Sequence, residues 1–206
     1  MLTVTDLSCV RGDRRLFAGL AFTLEARSWI YLTGENGVGK TSLLRMLVGL
    51  APVEVGEICW AGTPVAKLGD EYKRAVTYLG HHNALKEELT ARENICLGAA
   101  LSGIDLAAAA ADALLGRLGL SGREELPVRF LSQGQKRRVA LARLLWSKSP
   151  LWVLDEPFVA LDTAAIAWLA ATLAAHLAGG GMAILTSHQE VPIEGNPARP
   201  LRLTRS

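Results

Sequence analysis

The chain has little cysteine, no large surplus of either charge, and no uncharged span free of helix breakers that is long enough to cross a membrane. Cys9, Cys59 and Cys96 are its only cysteines among 206 residues. Their odd number and lack of CxxC spacing argue against a disulfide framework or a zinc site, and for buried, inert thiols in a reducing compartment. With 22 basic and 20 acidic side chains the net charge is +2, so the bulk attraction to nucleic acid of a strongly basic domain is missing. No basic stretch followed by an apolar core opens the sequence, so no secretory signal is expected. Residues 163–189 contain no Asp, Glu, Lys or Arg. Gly179, Gly180 and Gly181 nevertheless divide that stretch into an alanine-rich helix and a short strand, neither able to cross about 30 Å of hydrocarbon. Membrane contact is therefore expected to be peripheral. Internal repeats and low-complexity linkers are also absent. A chain of this length suits one domain, residues 1–206, burying roughly 70% of its unfolded surface.

What is present is a strand-and-helix pattern that changes character midway. Residues 2–7 alternate apolar and polar, residues 16–24 resemble a second half-buried strand, and a small antiparallel sheet is predicted to open the domain. Residues 29–32 read as a buried strand, 42–49 as a helix ended by Gly49, and 56–62 and 75–79 as further strands. From about 83 to 146 helices take over, at 90–102, 105–118 and 132–146, with apolar residues at three- and four-residue intervals. The run of alanines at 107–111 is a strong helix former. Strands at 151–154 and 182–185 around a helix at 163–177 then resume a parallel α/β pattern.

The strand at 29–32 leads straight into Gly34, Glu35, Asn36, Gly37, Val38, Gly39, Lys40 and Thr41, which match G-x-x-x-x-G-K-[ST]. Polyphosphate must be met by close donors, and backbone N–H groups approach only where side chains do not intrude. Gly34, Gly37 and Gly39 give that access, while the following helix adds its positive end. Lys40 is expected to reach the β- and γ-phosphates of ATP, Thr41 to place its hydroxyl on Mg²⁺, and Ser42 to assist. Asp155 follows four apolar residues, at the C-terminal end of a buried strand, and is the second candidate Mg²⁺ residue. Glu156, next in sequence, is the candidate general base or water-orienting group for attack on the γ-phosphate. At the start of another helix, Ser132, Gly134 and Gln135 of Leu131-Ser-Gln-Gly-Gln135 present a hydroxyl and N–H groups that fit a phosphate. Lys136, Arg137 and Arg138 form a short basic cluster expected to be a solvated helix face, with no nucleic acid bound.

These segments in this order resemble the ATP-binding subunit of an ABC transporter, over nearly the whole chain. The resemblance implies an α/β fold: a P-loop NTPase of the ABC type, with a parallel core sheet, a small antiparallel β-subdomain and a helical subdomain near 83–146. It implies ATP and Mg²⁺ as cofactors, and a head-to-tail dimer in which Ser132, Gly134 and Gln135 close over the nucleotide held by a second copy. His188, after a strand, sits where these ATPases carry a switch histidine that contacts the γ-phosphate. Ala160-Leu161-Asp162 looks like their dimer-contact loop, with Asp162 also placed to cap a helix.

The sequence departs from the family pattern in two places. His82 stands where these ATPases usually carry a glutamine, and an imidazole changes charge near neutral pH. A rival reading makes His81 and His82 a metal or haem pair, but no third ligand is close in sequence. Where relatives stack adenine on an aromatic residue, this chain has Arg11, either a guanidinium that stacks or an exposed arginine in a turn. The segments around Tyr78, residues 86–94, 140–146 and 151–157 look most like the haem exporter ATP-binding subunit of bacterial cytochrome c maturation. That likeness implies a separate membrane-spanning ABC subunit and other cytochrome c maturation proteins as partners, on the cytoplasmic face of the inner membrane. The alternative is an ABC subunit serving another substrate. DNA-repair and translation ATPases would show a long coiled-coil insertion or tandem cassettes, and a non-hydrolysing module would show a degenerate base.

Overall fold

Uninterrupted apolar runs become the inner strands of a parallel sheet, because both faces of such a strand are covered. The computed structural model, which describes residues 1–12, 14–187, 193, 195 and 197–204, contains three: β3 (Trp29–Thr33), β7 (Leu151–Leu154) and β8 (Met182–Thr186). Every residue of β7 and β8 is buried. The chain divides into two compact units, the first comprising residues Met1–Tyr78, Ser149–Glu156 and Ala170–Ser206.

In this first unit the alternating N-terminal segments form β1 (Leu2–Arg11) and β2 (Arg14–Leu24), an antiparallel pair. With β4 (Val55–Trp60) and β5 (Thr63–Pro64) they make a four-stranded sheet in the order β2-β1-β4-β5. A five-stranded sheet runs β6-β7-β8-β3-β9, where β6 is Val76–Leu79 and β9 is Arg199–Arg202. β8 lies parallel between β7 and β3, pairing Leu185 with Leu154 and Thr186 with Leu32. The C-terminal ends of these three strands therefore share one edge. α1 (Lys40–Leu47) buries Leu43, Leu44, Met46 and Leu47. It ends at Gly49, whose φ of 73° suits a residue without Cβ.

Three features were not expected from the sequence. β9 pairs with β3 at the sheet margin although its residues read Arg-Pro-Leu-Arg. An edge strand needs only one row of hydrogen bonds, so Pro200 is tolerated there. Two short helices, α2 (Val65–Leu68) and α3 (Asp70–Ala75), precede β6, and Ala75 closes α3 rather than opening the strand. Asp70 and Glu71 at the start of α3, with Lys73 and Arg74 at its end, match the helix dipole and were the available signal. The cysteines are half-buried rather than buried. Burial still pushes all three thiols up in pKa, which keeps them protonated at neutral pH.

The second unit comprises Leu79–Lys148 and Pro157–Leu169. Its helices α4 (Ala91–Leu101), α5 (Ala108–Arg117) and α6 (Gln133–Leu141) bury Ile95, Leu115 and Val139 around Leu120 and Val128. Thr90 and Glu93 form a reciprocal capping box at the start of α4. The single helix expected over 132–146 is two, α6 and α7 (Arg143–Trp146), joined by Ala142, which keeps right-handed helical backbone angles. Its N–H is shared between the Arg138 and Val139 carbonyls, and Leu145 N–H bonds three residues back to Ala142. The interruption is thus a local tightening toward 3₁₀ geometry. α8 (Thr163–Ala178) starts in this unit and ends in the first. Among the described residues no helix is long and apolar enough to cross a membrane.

Candidate nucleotide site

In the first unit the glycine loop joins β3 to α1 at the C-terminal edge of the parallel sheet. Gly34 and Gly39 have φ of 147° and 110°, and a Cβ on Gly34 would lie 2.7 Å from the Leu203 carbonyl. Glycine is required there by both conformation and space. Val38 is 1% exposed and packs into the core, so its side chain anchors the loop and only its backbone faces outward chemistry. Glu35, Asn36 and Gly37 form the exposed crest of the loop. Lys40 Nζ donates to the carbonyls of Gly34 at 2.7 Å and Glu35 at 3.3 Å, which folds its ammonium back across the loop. α1 has no side-chain N-cap among the described residues. The first-turn N–H groups of Lys40, Thr41 and Ser42 therefore have no local acceptor of the usual kind.

Asp155, 3% exposed, lies one residue beyond β7. Thr41 Oγ1 donates to Asp155 Oδ2 at 2.8 Å, and Thr186 Oγ1 donates to Asp155 Oδ1 at 2.7 Å. Glu156 is half-buried with φ of 50°, and its N–H donates to Thr186 Oγ1 at 2.9 Å. Left-handed backbone in a non-glycine residue costs on the order of 1–3 kcal/mol and persists only where its surroundings enforce it. Tyr78, near this carboxylate, has its phenol pushed up in pKa by burial and, secondarily, by the Asp155 charge. Tyr31 Oη donates to the Ser187 carbonyl at 2.8 Å, fixing the chain just past β8. His188 lies outside the described residues. Arg11 is exposed at the end of β1.

The second unit holds the remaining candidates. Ser132 is the N-cap of α6: its Oγ accepts from Gln135 N–H at 3.3 Å, and Gln135 Oε1 accepts from Ser132 N–H at 2.9 Å. The Gln135 side chain is thereby engaged locally, and the Ser132 hydroxyl uses a lone pair in the cap. A Cβ on Gly134 would lie 2.6 Å from the Ala160 carbonyl, so this glycine also admits the 157–162 segment of its own unit. Asp162 Oδ1 accepts from Ala165 N–H at 2.9 Å and caps α8 as expected. The basic cluster is not the solvated face that its composition predicted. Lys136 pairs with Glu87, and Arg138 with Asp162. Arg137 is 4% exposed, donating to the carbonyls of Gly80 and Pro157 and to Asn83 Oδ1. A helix face buried by its own tertiary contacts looks the same in sequence as one left in water. His81 and His82 are both exposed, with rings edge to face at 5.4 Å.

The family model described as ABC transporter matches residues 17–159, which is more than half of the chain. The chain belongs to the ABC transporter family. It is an ATPase of the ABC type. The chain is 55% identical to the cytochrome c biogenesis ATP-binding export protein CcmA of Dechloromonas aromatica, over 98% of its own length and 100% of that protein's. It is 48% identical to the protein so named in Salmonella typhi, over 99% and 97%. Among solved structures it is similar to an ATP-binding subunit of an ABC transporter, with TM-score 0.81 and 29% identity over 91% of this chain and 79% of that one. A dimeric, post-hydrolysis ATP-binding cassette bound to ADP and Pi shares the fold, with TM-score 0.80 and 21% identity over 92% and 88%. Thr186 is the residue at this site that sequence reasoning left unassigned. Its sequence signal is a hydroxyl just after an apolar run, at the head of the Thr186-Ser-His188 segment.

Proposed function

We propose that this ABC ATPase hydrolyses ATP at the edge formed by β3, β7 and β8, as a head-to-tail dimer that drives a membrane complex for cytochrome c biogenesis. The observation that carries the chemistry is the Thr41–Asp155–Thr186–Glu156 cluster beside the glycine loop. The names of relatives about half identical over nearly their full length carry the pathway.

The loop residues Gly34, Glu35, Asn36, Gly37, Val38, Gly39 and Ser42 surround the phosphates, chiefly through backbone N–H groups, and Lys40 turns its ammonium from loop carbonyls to the β- and γ-phosphates. A threonine hydroxyl and a carboxylate are hard oxygen donors, and two donors suit a Mg²⁺ that keeps most of its ligands as water and phosphate. Thr41 and Asp155 would hold that ion, which when bound neutralises charge on the transferring phosphoryl group. Glu156 orients the attacking water and accepts its proton. His188 holds the γ-phosphate and Glu156 in line, and His82 occupies the position that reports nucleotide state to the membrane partner. Ser132 and Gly134, at the positive end of α6, bind the γ-phosphate held by the second copy, with Gln135 maintaining the cap. Arg11 is the candidate for stacking on adenine.

The two units together form one ATP-binding domain in this reading. Its partners are a second copy, a separate membrane-spanning ABC subunit and other cytochrome c maturation proteins, on the cytoplasmic face of a bacterial inner membrane. The test is a deletion strain. Haem staining should show c-type cytochromes missing while apocytochrome persists and other haem proteins stay filled, and Glu156→Gln should fail to complement at normal expression. Intact c-type cytochromes with a defect in transport of another compound would overturn the pathway.

A further inference from the structure

We infer that Thr186 is a positioning residue of the hydrolytic centre, setting both the Asp155 carboxylate and the backbone from which Glu156 projects. The inference rests on the roles proposed above for those two acidic residues. Thr186 is the last residue of β8 and is 0% exposed. A hydroxyl has one proton and two lone pairs. The proton goes to Asp155 Oδ1 at 2.7 Å, because an ionised carboxylate can only accept, and this turns a lone pair toward Glu156 N–H at 2.9 Å. One buried atom thus fixes two consecutive residues, and only a hydroxyl side chain of this reach can both donate and accept there.

Each contact has a mechanical consequence. The Asp155 carboxylate is gripped at both oxygens, by Thr186 from β8 and by Thr41 from the start of α1, so its plane is set before any ligand arrives. Glu156 adopts φ of 50°, a conformation that needs an enforcing contact, and its N–H bond to Thr186 is such a contact. Its loss removes one contact that holds the peptide away from the extended angles favoured before a proline such as Pro157. The Glu156 side chain would then leave from a different direction. Thr186 is itself held on both sides: its residue pairs with Leu32 of β3, and Tyr31 Oη grips the carbonyl of Ser187. A 1 Å misplacement of a reacting group is enough to cost about 10²-fold in rate.

The test compares Thr186→Val, Thr186→Ala and Thr186→Ser in the full-length chain, with Glu156→Gln in parallel, by steady-state ATP hydrolysis and by Mg²⁺-free binding of a fluorescent ATP analogue. Thr186→Val and Thr186→Ala should lower kcat by about 10- to 100-fold while KM moves less than about threefold, the signature of lost transition-state alignment. Thr186→Ser, which keeps donor and acceptor, should recover most of kcat. Should Val fail to fold, the Ser and Ala variants decide the matter, with nucleotide binding as the check on folding. Wild-type kcat in folded Thr186→Ala, equal loss in Thr186→Ser, or a rise in KM at constant kcat overturns the inference. If Glu156→Gln itself hydrolyses ATP normally, the underlying reading of Glu156 fails instead.

Discussion

Thr41 and Asp155, 114 residues apart in sequence, are joined by a 2.8 Å hydrogen bond in which the threonine hydroxyl donates to the carboxylate. Because that hydroxyl's only proton points at Asp155, its lone pairs are left for a cation. The same contact ties the glycine loop to the end of β7, so phosphate binding and metal binding share one preset geometry. Asp155→Asn would put an amide between two hydroxyl donors, and one of them would face an N–H₂ group. We expect hydrolysis to fall by at least about 100-fold and the Mg²⁺ dependence to shift to higher concentration. Nucleotide binding in EDTA should change only a few-fold. A Mg²⁺ titration of ATPase activity, paired with metal-free binding, checks both.

Glu156→Gln keeps size and hydrogen-bonding capacity but removes the proton acceptor. Hydrolysis should drop by about 10²- to 10⁴-fold, the usual contribution of a general base. The ATP-bound dimer should then accumulate. Light scattering with and without ATP measures the mass, and a monomer at saturating nucleotide would count against the proposed sandwich.

His82 is exposed beside His81, in a segment whose neighbour Asn83 is hydrogen-bonded to the buried Arg137. His82→Gln, which installs the glutamine that the proposed alignment expects there, should preserve activity in the assembled complex. His82→Ala should lose coupling between hydrolysis and cytochrome maturation. If His81→Ala is the damaging change and His82→Ala is silent, the loop is aligned one residue out of place.

His176 lies flat on Trp152, with ring centroids 3.8 Å apart and an interplanar angle of 6°, and its Nε2 is 3.1 Å from the Met182 carbonyl. Burial holds the imidazole below its usual pKa, against the opposing pull of the Met182 and Pro150 backbone. The folded state therefore prefers the neutral ring. This contribution is complete above the unfolded value of about 6.5 and is lost as pH falls through it toward the lower folded value. Between about pH 7.5 and pH 5.5, spanning that value, the wild-type Tm should fall more than that of His176→Phe, which stacks but does not titrate. A Cβ on Gly181 would come within 2.3 Å of the His176 ring. Gly181→Ala should displace the ring and cost about 1–3 kcal/mol, the usual penalty of overpacking, read as a lowered Tm and altered tryptophan fluorescence.

Features whose chemistry depends on residue type and local spacing were legible along the chain. The glycine loop could be read because only glycine allows the φ values and close approach it needs. β7 and residues 182–185 of β8 were legible because a strand covered on both faces is largely apolar, and the Asp162 cap because capping is a three-residue interaction. Features that depend on which distant groups meet emerge only once the chain is folded. β9 has no pattern of its own and exists because β3 offers a free edge. Arg137 reads as one more charge in a basic run until the carbonyls of Gly80 and Pro157 enclose it. Thr186 reads as the end of a strand until parallel pairing of β8 with β7 brings its hydroxyl to Asp155 and Glu156. In each case the deciding energy is a contact across many residues of intervening chain, which periodicity and propensity do not encode.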